Sequence, residues 1–153
     1  MVALYSGLRA PLWVAEVWKP DYSKDFRLPL LTSAVQAGLP TSVEELIEGK
    51  ISSSDLLIKN RRSTFFVKVT GDSMLDAGIR PGDTLVVDKS LEVLDGRIVV
   101  AQINGELTVK KFRFDGKTIF LEPDNPDYPV IFITEEMEFS IWGVVTQIIH
   151  SMI

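Results

Sequence analysis

Residues 97–123 carry the clearest structural pattern in the chain, RIVVAQINGELTVKKFRFDGKTIFLEP. Runs rich in Val, Ile, Phe and Thr, which favour strands, alternate there with two short polar breaks. The breaks are Asn104-Gly105 and Asp115-Gly116, dipeptides typical of tight turns between antiparallel strands. This segment therefore predicts three antiparallel strands joined by hairpins.

Similar runs extend from Thr64 to the C-terminus. The further strand candidates are TFFVKVT (64–70), TLVVDKS (84–90), PVIFIT (129–134) and EFSIWGVVTQIIH (138–150). We therefore predict a mainly β domain, built as a folded antiparallel ribbon or a small barrel. Ahead of it, TSVEELIEG (41–49) predicts a short helix with a capping Thr or Ser and a terminating Gly. A second short helix is expected to begin at Ser54.

Residues 1–37 differ in character from the rest of the chain. They show no sustained helical or strand period, contain three prolines, and carry four basic and three acidic residues, a net charge of +1. The total of −5 leaves −6 for residues 38–153. Trp13 and Trp18 indicate that this N-terminal arm docks, because disordered tails usually lack such residues. We expect two parts, a flexible or docked arm at 1–37 and a folded domain at 38–153.

The composition excludes several classes of protein. With no cysteine and one histidine, disulfides are impossible and a structural zinc site is nearly excluded, so we expect no metal and no cofactor. A net charge of −5 argues against direct, specific DNA binding, which needs a basic face. No apolar run approaches the roughly 18 residues that cross a bilayer, and charges and prolines interrupt the N-terminus where a signal peptide is apolar. We expect a cytoplasmic protein without membrane contact.

The stretch VTGDSMLDAGIRPGD, residues 69–83, places a serine where a predicted strand ends. Gly71 frees the backbone, and Ser73 then stands at the start of what we expect to be one helical turn. Unpaired backbone N–H groups at such a start, here those of Asp72 and Ser73, can stabilise an oxyanion. The position of these two residues after a strand is explained equally well if Asp72 or Ser73 only caps a helix.

Two lysines interrupt the apolar strand 106–114. A lysine acts as a general base only when it is neutral, and burial without a counter-charge lowers its pKa toward that state. Strand alternation puts Lys110 on one face with Phe112, and Lys111 on the other with Arg113, which favours Lys110 as the desolvated base. A one-residue bulge would reverse this assignment, and a solvated pair on an edge strand is the usual alternative.

Together these motifs resemble the UmuD/LexA family of self-cleaving Ser–Lys proteins, peptidase family S24. The residues that carry the resemblance are GDSM (71–74), IRPGD (79–83), ELTVKKF (106–112), NPDYP (125–129) and GVV (143–145). The similarity runs from about Leu31 to the C-terminus. It is strongest to the UmuD branch, whose members are accessory subunits of SOS-induced translesion DNA polymerases. It implies a fold like that of LexA and the signal peptidases, with Ser73 as nucleophile and Lys110 as base.

The family cuts itself at a small-residue bond ahead of the catalytic domain. Ala37-Gly38 stands in the matching place, and cutting there would separate the arm from the domain 38–153. Small flanking residues let an extended segment enter a tight cleft, although Ala-Gly is by itself an ordinary linker dipeptide. The resemblance therefore implies that residues 1–37 are removed by self-cleavage.

The resemblance also implies partners. They are a second copy in a homodimer, a RecA filament on single-stranded DNA as activator, and a UmuC-like Y-family polymerase subunit. A non-catalytic dimeric adaptor is one alternative, which the joint presence of Ser73, Lys110 and Ala37-Gly38 opposes. A short LexA-like repressor is another, opposed by the negative charge and by residues 1–37, which show no helix-turn-helix pattern. A catalytic triad through His150 is the least favoured, since a lone histidine near a C-terminus is usually a surface residue.

Overall fold

The computed structural model describes residues 12–23, 27–31 and 47–153. The described part falls into two compact units. One contains residues up to Pro20 together with Asn60–Ile153, and the other contains residues between Asp21 and Lys59. The predicted scissile bond, Ala37–Gly38, and the domain boundary placed there lie outside the described residues and stay predictions.

The smaller unit is an antiparallel strand pair followed by a helix. Strand β2 (Arg27–Leu31) pairs with β3 (Ile47–Ser52), and α1 (Ser53–Leu57) follows β3 directly. The helix expected to begin at Ser54 is therefore confirmed to within a residue. The helix predicted for 41–49 can be compared with the structure only at residues 47–49. The prediction is wrong there, because these three residues belong to β3. Backbone pairing with β2 outweighs the local helical signal there.

The larger unit is one eight-stranded antiparallel sheet. Its strands are β1 (Trp13–Trp18), β4 (Thr64–Thr70), β5 (Thr84–Asp88), β6 (Ile98–Ile103), β7 (Glu106–Phe114), β8 (Ile119–Glu122), β9 (Ile131–Phe132) and β10 (Phe139–Ile149). Their order is β1-β4-β5-β10-β6-β7-β8-β9, and β1 also pairs with β7 through Trp13 and Thr108. Because an edge strand returns to a strand near the opposite edge, the sheet is curled. The predicted mainly antiparallel β fold is confirmed.

The strand pattern from Thr64 onward is close to the prediction. Strands β4 and β7 have the predicted bounds, and the other predicted strands are present with shorter ends. Asn104-Gly105 forms the two-residue hairpin between β6 and β7, with φ values of 50° and 83°. Asp115-Gly116 lies in a wider connection, since Phe114 pairs with Ile119 across it. The sequence pattern does not predict β1 or β2.

Apolar side chains of the larger unit form two buried clusters. The first contains Leu12, Val67, Val69, Met74, Ile79, Leu85, Val87, Val100 and Val109. The second contains Val99, Ala101, Phe112, Leu121 and Val144. Successive residues of β6 alternate between the two clusters, as expected for a strand that is covered on both faces. The first cluster includes Leu12 and Met74, so it packs against both the start of β1 and the segment that joins β4 to β5.

Candidate active site

Ser73 lies in a tight turn at the end of β4. Gly71 follows the strand with a φ of 87°, a left-handed conformation that favours glycine. Ser73 is fully buried, and a single 3-10 turn, Leu75–Ala77, begins two residues later. Met74 is buried in the first core cluster, and its carbonyl accepts a hydrogen bond from the N–H of Ile79 at 3.2 Å. The core therefore holds the turn directly beside the serine.

The loop after β8 holds the residue that precedes the serine. Asn125 Nδ2 donates to the carbonyl oxygen of Asp72 at 2.9 Å, and the Tyr128 hydroxyl donates to the Asp72 carboxylate. These contacts fix both the backbone and the side chain of Asp72. Within the part of the chain that the structure describes, no backbone carbonyl accepts a hydrogen bond from the N–H of Asp72 or Ser73. Both groups therefore remain candidates for holding an oxyanion.

Lys110 reaches the serine from β7. Its Nζ lies 2.8 Å from Ser73 Oγ, and it also donates to Thr108 Oγ1 and to the Val109 carbonyl oxygen, each at 3.1 Å. Lys110 is 3% exposed, and none of these partners is a carboxylate. Burial lowers the pKa of Lys110 to about 8. About one molecule in ten is then neutral at pH 7, against about one in three thousand for an ordinary lysine.

The neighbouring lysine has a different environment. Lys111 Nζ forms an ion pair with Asp124 Oδ1 at 2.9 Å, and its side chain keeps 27% of its exposure. Asp124 is itself held in place, because its carbonyl oxygen accepts a hydrogen bond from the N–H of Asp76 at 2.8 Å. Strand alternation thus separates a buried lysine bound to hydroxyls, Lys110, from a half-exposed lysine bound to an acid.

Leu12, just ahead of β1, contacts the serine and the threonine that binds Lys110. The N–H of Leu12 donates to Ser73 Oγ at 3.0 Å, and the Leu12 carbonyl oxygen accepts a hydrogen bond from Thr108 Oγ1 at 2.9 Å. The Leu12 side chain is fully buried. Thr108 therefore links the backbone of this segment to Lys110, with which it shares a face of β7.

His150 takes part in a different cluster. Its Nδ1 lies 2.5 Å from Asp83 Oδ1, and its Nε2 lies 3.2 Å from a guanidinium nitrogen of Arg80. Asp83 also accepts a hydrogen bond from the N–H of Arg80 at 2.8 Å and is buried. With both ring nitrogens engaged in this way, His150 stabilises the turn that precedes β5 and does not serve Ser73.

Sequence reasoning paired Ser73 with Lys110, and the structure brings these two side chains into contact. It missed Thr108, although two-residue spacing from Lys110 on a strand already placed both on one face. It also missed the contribution of Asn125 and Tyr128, which the resemblance marked only as a loop. Nothing in the sequence pattern pointed to Leu12, because its contacts join segments about sixty to a hundred residues apart.

Comparison with known proteins identifies the family. Residues 29–146 match the family model described as Peptidase S24-like. Protein SamA of Salmonella typhimurium is 39% identical over 122 residues, covering 80% of this chain and 84% of SamA. Protein MucA of Escherichia coli is 36% identical over 132 residues, covering 86% of this chain and 88% of MucA. A LexA repressor of Acidithiobacillus ferrooxidans is 41% identical over 126 residues, covering 80% of this chain and 60% of the repressor.

The chain belongs to the Peptidase S24-like family, which confirms the resemblance to the UmuD/LexA group and makes the protein a serine peptidase of the self-cleaving kind. In the three described segments, no helix is long and apolar enough to cross a membrane. The same residues contain no group of His, Cys, Asp or Glu side chains that could hold a metal ion.

Replacing Lys110 by Met should stabilise the fold at neutral pH. The folded protein has a Lys110 pKa of about 8, below the ordinary 10.5, so at pH 7 protonation favours the unfolded chain. We expect the variant to gain roughly 3 kcal/mol at pH 7, and this gain to shrink between pH 8 and 10.5, where the parent loses the burial penalty. Chemical denaturation in a Ser73→Ala background, intended to keep the chain in one piece, measures both quantities.

Lys111→Met is the matched control, because it removes a lysine of the same strand that is paired with an acid. We expect it to lose a little stability, because it breaks the ion pair with Asp124. A Lys110→Met variant that is no more stable than its parent, with the same pH profile, would show that Lys110 carries no burial penalty.

Proposed function

We propose that this protein is a UmuD-like accessory subunit of an SOS-induced translesion DNA polymerase, activated by cutting itself at Ala37–Gly38. The observation that carries the chemical part is the 2.8 Å contact between Lys110 Nζ and Ser73 Oγ, made at a buried position. A lysine in this setting can take a proton from a serine, which is the step that makes the hydroxyl a nucleophile. The domain division at 37/38 is part of the same proposal.

The proposed reaction is acyl transfer. Neutral Lys110 accepts the hydroxyl proton of Ser73 as Oγ attacks the Ala37 carbonyl carbon, and the N–H groups of Asp72 and Ser73 stabilise the oxyanion. The C–N bond of Ala37–Gly38 breaks, the proton passes from Lys110 to the new amine of Gly38, and residues 1–37 remain as an ester on the serine. Water then hydrolyses this ester, with Lys110 again acting as base.

The tether between site and substrate supports self-cleavage over cleavage of other proteins. The scissile segment belongs to the same chain, so its effective concentration replaces the binding affinity that a separate substrate would need. The number of residues between Gly38 and Ser73 is sufficient for delivery within one chain or to the partner in a dimer.

The partners follow from the UmuD resemblance. We propose a homodimer, a RecA filament on single-stranded DNA that promotes the cut, and a UmuC-like Y-family polymerase subunit that binds the product. The matches span 84% of SamA and 88% of MucA, which supports a domain organisation similar to theirs. The comparable identity to LexA repressors keeps a repressor relative as the second candidate. A cytoplasmic location is part of the proposal.

Ser73→Ala should abolish the 38–153 fragment while leaving the fold intact, because it removes the nucleophile and little volume. Gly38→Phe should also block the cut, since a bulky side chain beside the scissile bond would not fit a narrow cleft. Intact-mass spectrometry after incubation with RecA filaments gives the masses of both fragments. Normal cleavage by the alanine variant, or cleavage at another bond in the parent, would contradict the proposed chemistry.

Self-cleavage without an activator should accelerate with pH and level off above the pKa of Lys110, near 8, because only the neutral amine acts as base. Lys110→Ala should remove this acceleration, whereas Lys111→Ala, which breaks the ion pair to Asp124, should leave most of it. Rates from gel densitometry between pH 6 and about 10.5 test this. Equal loss in both variants, with the fold retained, would mean that the base has been assigned wrongly.

Removal of residues 1–37 should change affinity for a UmuC-like subunit, because truncation takes away Trp13 and Trp18 and uncovers the surface beneath β1. Binding of the uncleavable Ser73→Ala chain and of the 38–153 fragment can be compared by calorimetry, and mutagenesis in cells by reversion counts. Operator-DNA binding by either form, without polymerase binding, would favour the repressor relative. Identical behaviour of the two forms in both assays would contradict the proposed role of truncation in polymerase binding, without contradicting self-cleavage itself.

A further inference from the structure

A groove that accepts an extended backbone runs along β4 and ends at Ser73. Strand β1 occupies it, pairing antiparallel with β4 from Trp18 opposite Phe66 to Trp13 opposite Thr70. At that end Trp13 also pairs with Thr108 of β7. The backbone of this segment therefore bridges the two strands that carry the serine turn and the lysine.

Leu12 is the point at which this segment meets the candidate active site. Its N–H lies 3.0 Å from Ser73 Oγ, and its carbonyl oxygen accepts from Thr108 Oγ1 at 2.9 Å, so both of its backbone polar groups are held there. Its side chain is buried in the first core cluster. With Leu12 in place, Ser73 has no exposed surface.

Occupation by Leu12 excludes any other backbone. A carbonyl carbon must come within about 3–3.5 Å of a nucleophilic oxygen before it can be attacked. An amide nitrogen of residue 12 already lies 3.0 Å from Ser73 Oγ. The segment that contains Ala37–Gly38 lies 25 residues further along the chain from Leu12, so it cannot be delivered by the same stretch of backbone.

We propose that residues 12–18 are a resident competitor in the peptide groove, and that Ala37–Gly38 reaches Ser73 only after these residues have left it. This inference rests on the proposed self-cleavage. It adds a second segment, residues 12–18, that occupies the groove before cleavage. It also identifies displacement of this segment as the step that an activator must favour. The activator would act by displacing β1 from this groove.

The construction of β1 suits a strand that can be displaced. Beyond Leu12 its side chains from Ala15 to Trp18 are exposed, and Val17 and Trp18 are 39% and 43% exposed. The pairing with β4 shifts register between Val14 and Glu16. A strand with few buried contacts and an interrupted ladder opens at lower free energy than the core strands.

A disulfide across β1 and β4 tests the proposal, and the natural chain contains no cysteine to interfere. Glu16 and Lys68 are exposed partners in the β1–β4 register. Opposite residues of antiparallel strands have Cα atoms about 4.5–5.5 Å apart, within the range that a disulfide spans. In the Glu16→Cys/Lys68→Cys protein, oxidation should slow self-cleavage at least about tenfold relative to the reduced form, because the cross-link opposes opening.

The matched control is Gln102→Cys/Ser140→Cys, a pair facing each other across β6 and β10, away from β1. Its oxidised and reduced forms should cleave at the same rate. If the oxidised Glu16→Cys/Lys68→Cys protein cleaves as fast as its reduced form, residues 12–18 need not leave and the proposal fails. A cut at Pro11–Leu12, visible by mass, would make this segment a substrate and equally overturn it.

A second measurement separates this outcome from failure of self-cleavage itself. Reductive methylation of Lys110, followed by peptide mass mapping in a Ser73→Ala background, reports whether the groove opens. We expect methylation of Lys110 at pH 8 to be at least about tenfold slower in the oxidised Glu16→Cys/Lys68→Cys protein than in the reduced one, with no such difference in the control pair. Equal rates in both states would refute displacement of β1 whether or not any bond is cut.

Discussion

The contact between Lys110 Nζ and Ser73 Oγ depends on a lysine that is buried and that binds no acid among the described residues. Its partners are two hydroxyls and a carbonyl oxygen, which hold the ammonium or the amine without strongly favouring the charged form. A nearby carboxylate would raise the pKa of Lys110 and leave too little neutral amine to act as a base. Exposure to water would have the same effect, because hydration favours the charged form. The fold must therefore bury this lysine and keep acidic side chains away from it. The burial of an amine without an acidic partner lowers the stability of the protein.

Strand register achieves this separation. The two-residue turn at Asn104-Gly105 pairs β6 with β7, so that Lys110 lies opposite Val99 and Lys111 opposite Ile98. A shift of one residue in this register would exchange the faces of the two lysines. Lys110 would then lie on the side of Asp124, and Lys111 would point into the core. The hairpin turn, about thirty residues from the serine in sequence, thus decides which amine lies beside Ser73.

The parts of this arrangement that follow from local pattern could be predicted from the sequence. The bounds of β4 and β7, the Asn104-Gly105 turn and the burial of Lys110 rather than Lys111 all rest on side-chain alternation and turn chemistry. The strands β1 and β2 were missed because their residues have no clear strand period, and β3 was missed because the local pattern at 41–49 favours a helix. Asn125, Tyr128 and Leu12 could not be assigned roles, because each acts through contacts across fifty residues or more.

The cover over the site has a consequence for its chemistry. Leu12 contacts Ser73 and Thr108, the two hydroxyls that bind Lys110, so its departure alone would let water approach the amine and raise its pKa toward the ordinary value. A productive substrate must therefore do two things at once: present a carbonyl to the serine and restore the cover over the lysine. A segment tethered to the same chain meets both demands with little loss of entropy, whereas a water-filled open groove meets neither. Under the proposed mechanism, an empty site is filled with water and an occupied site is blocked, so both states disfavour the cutting of other proteins.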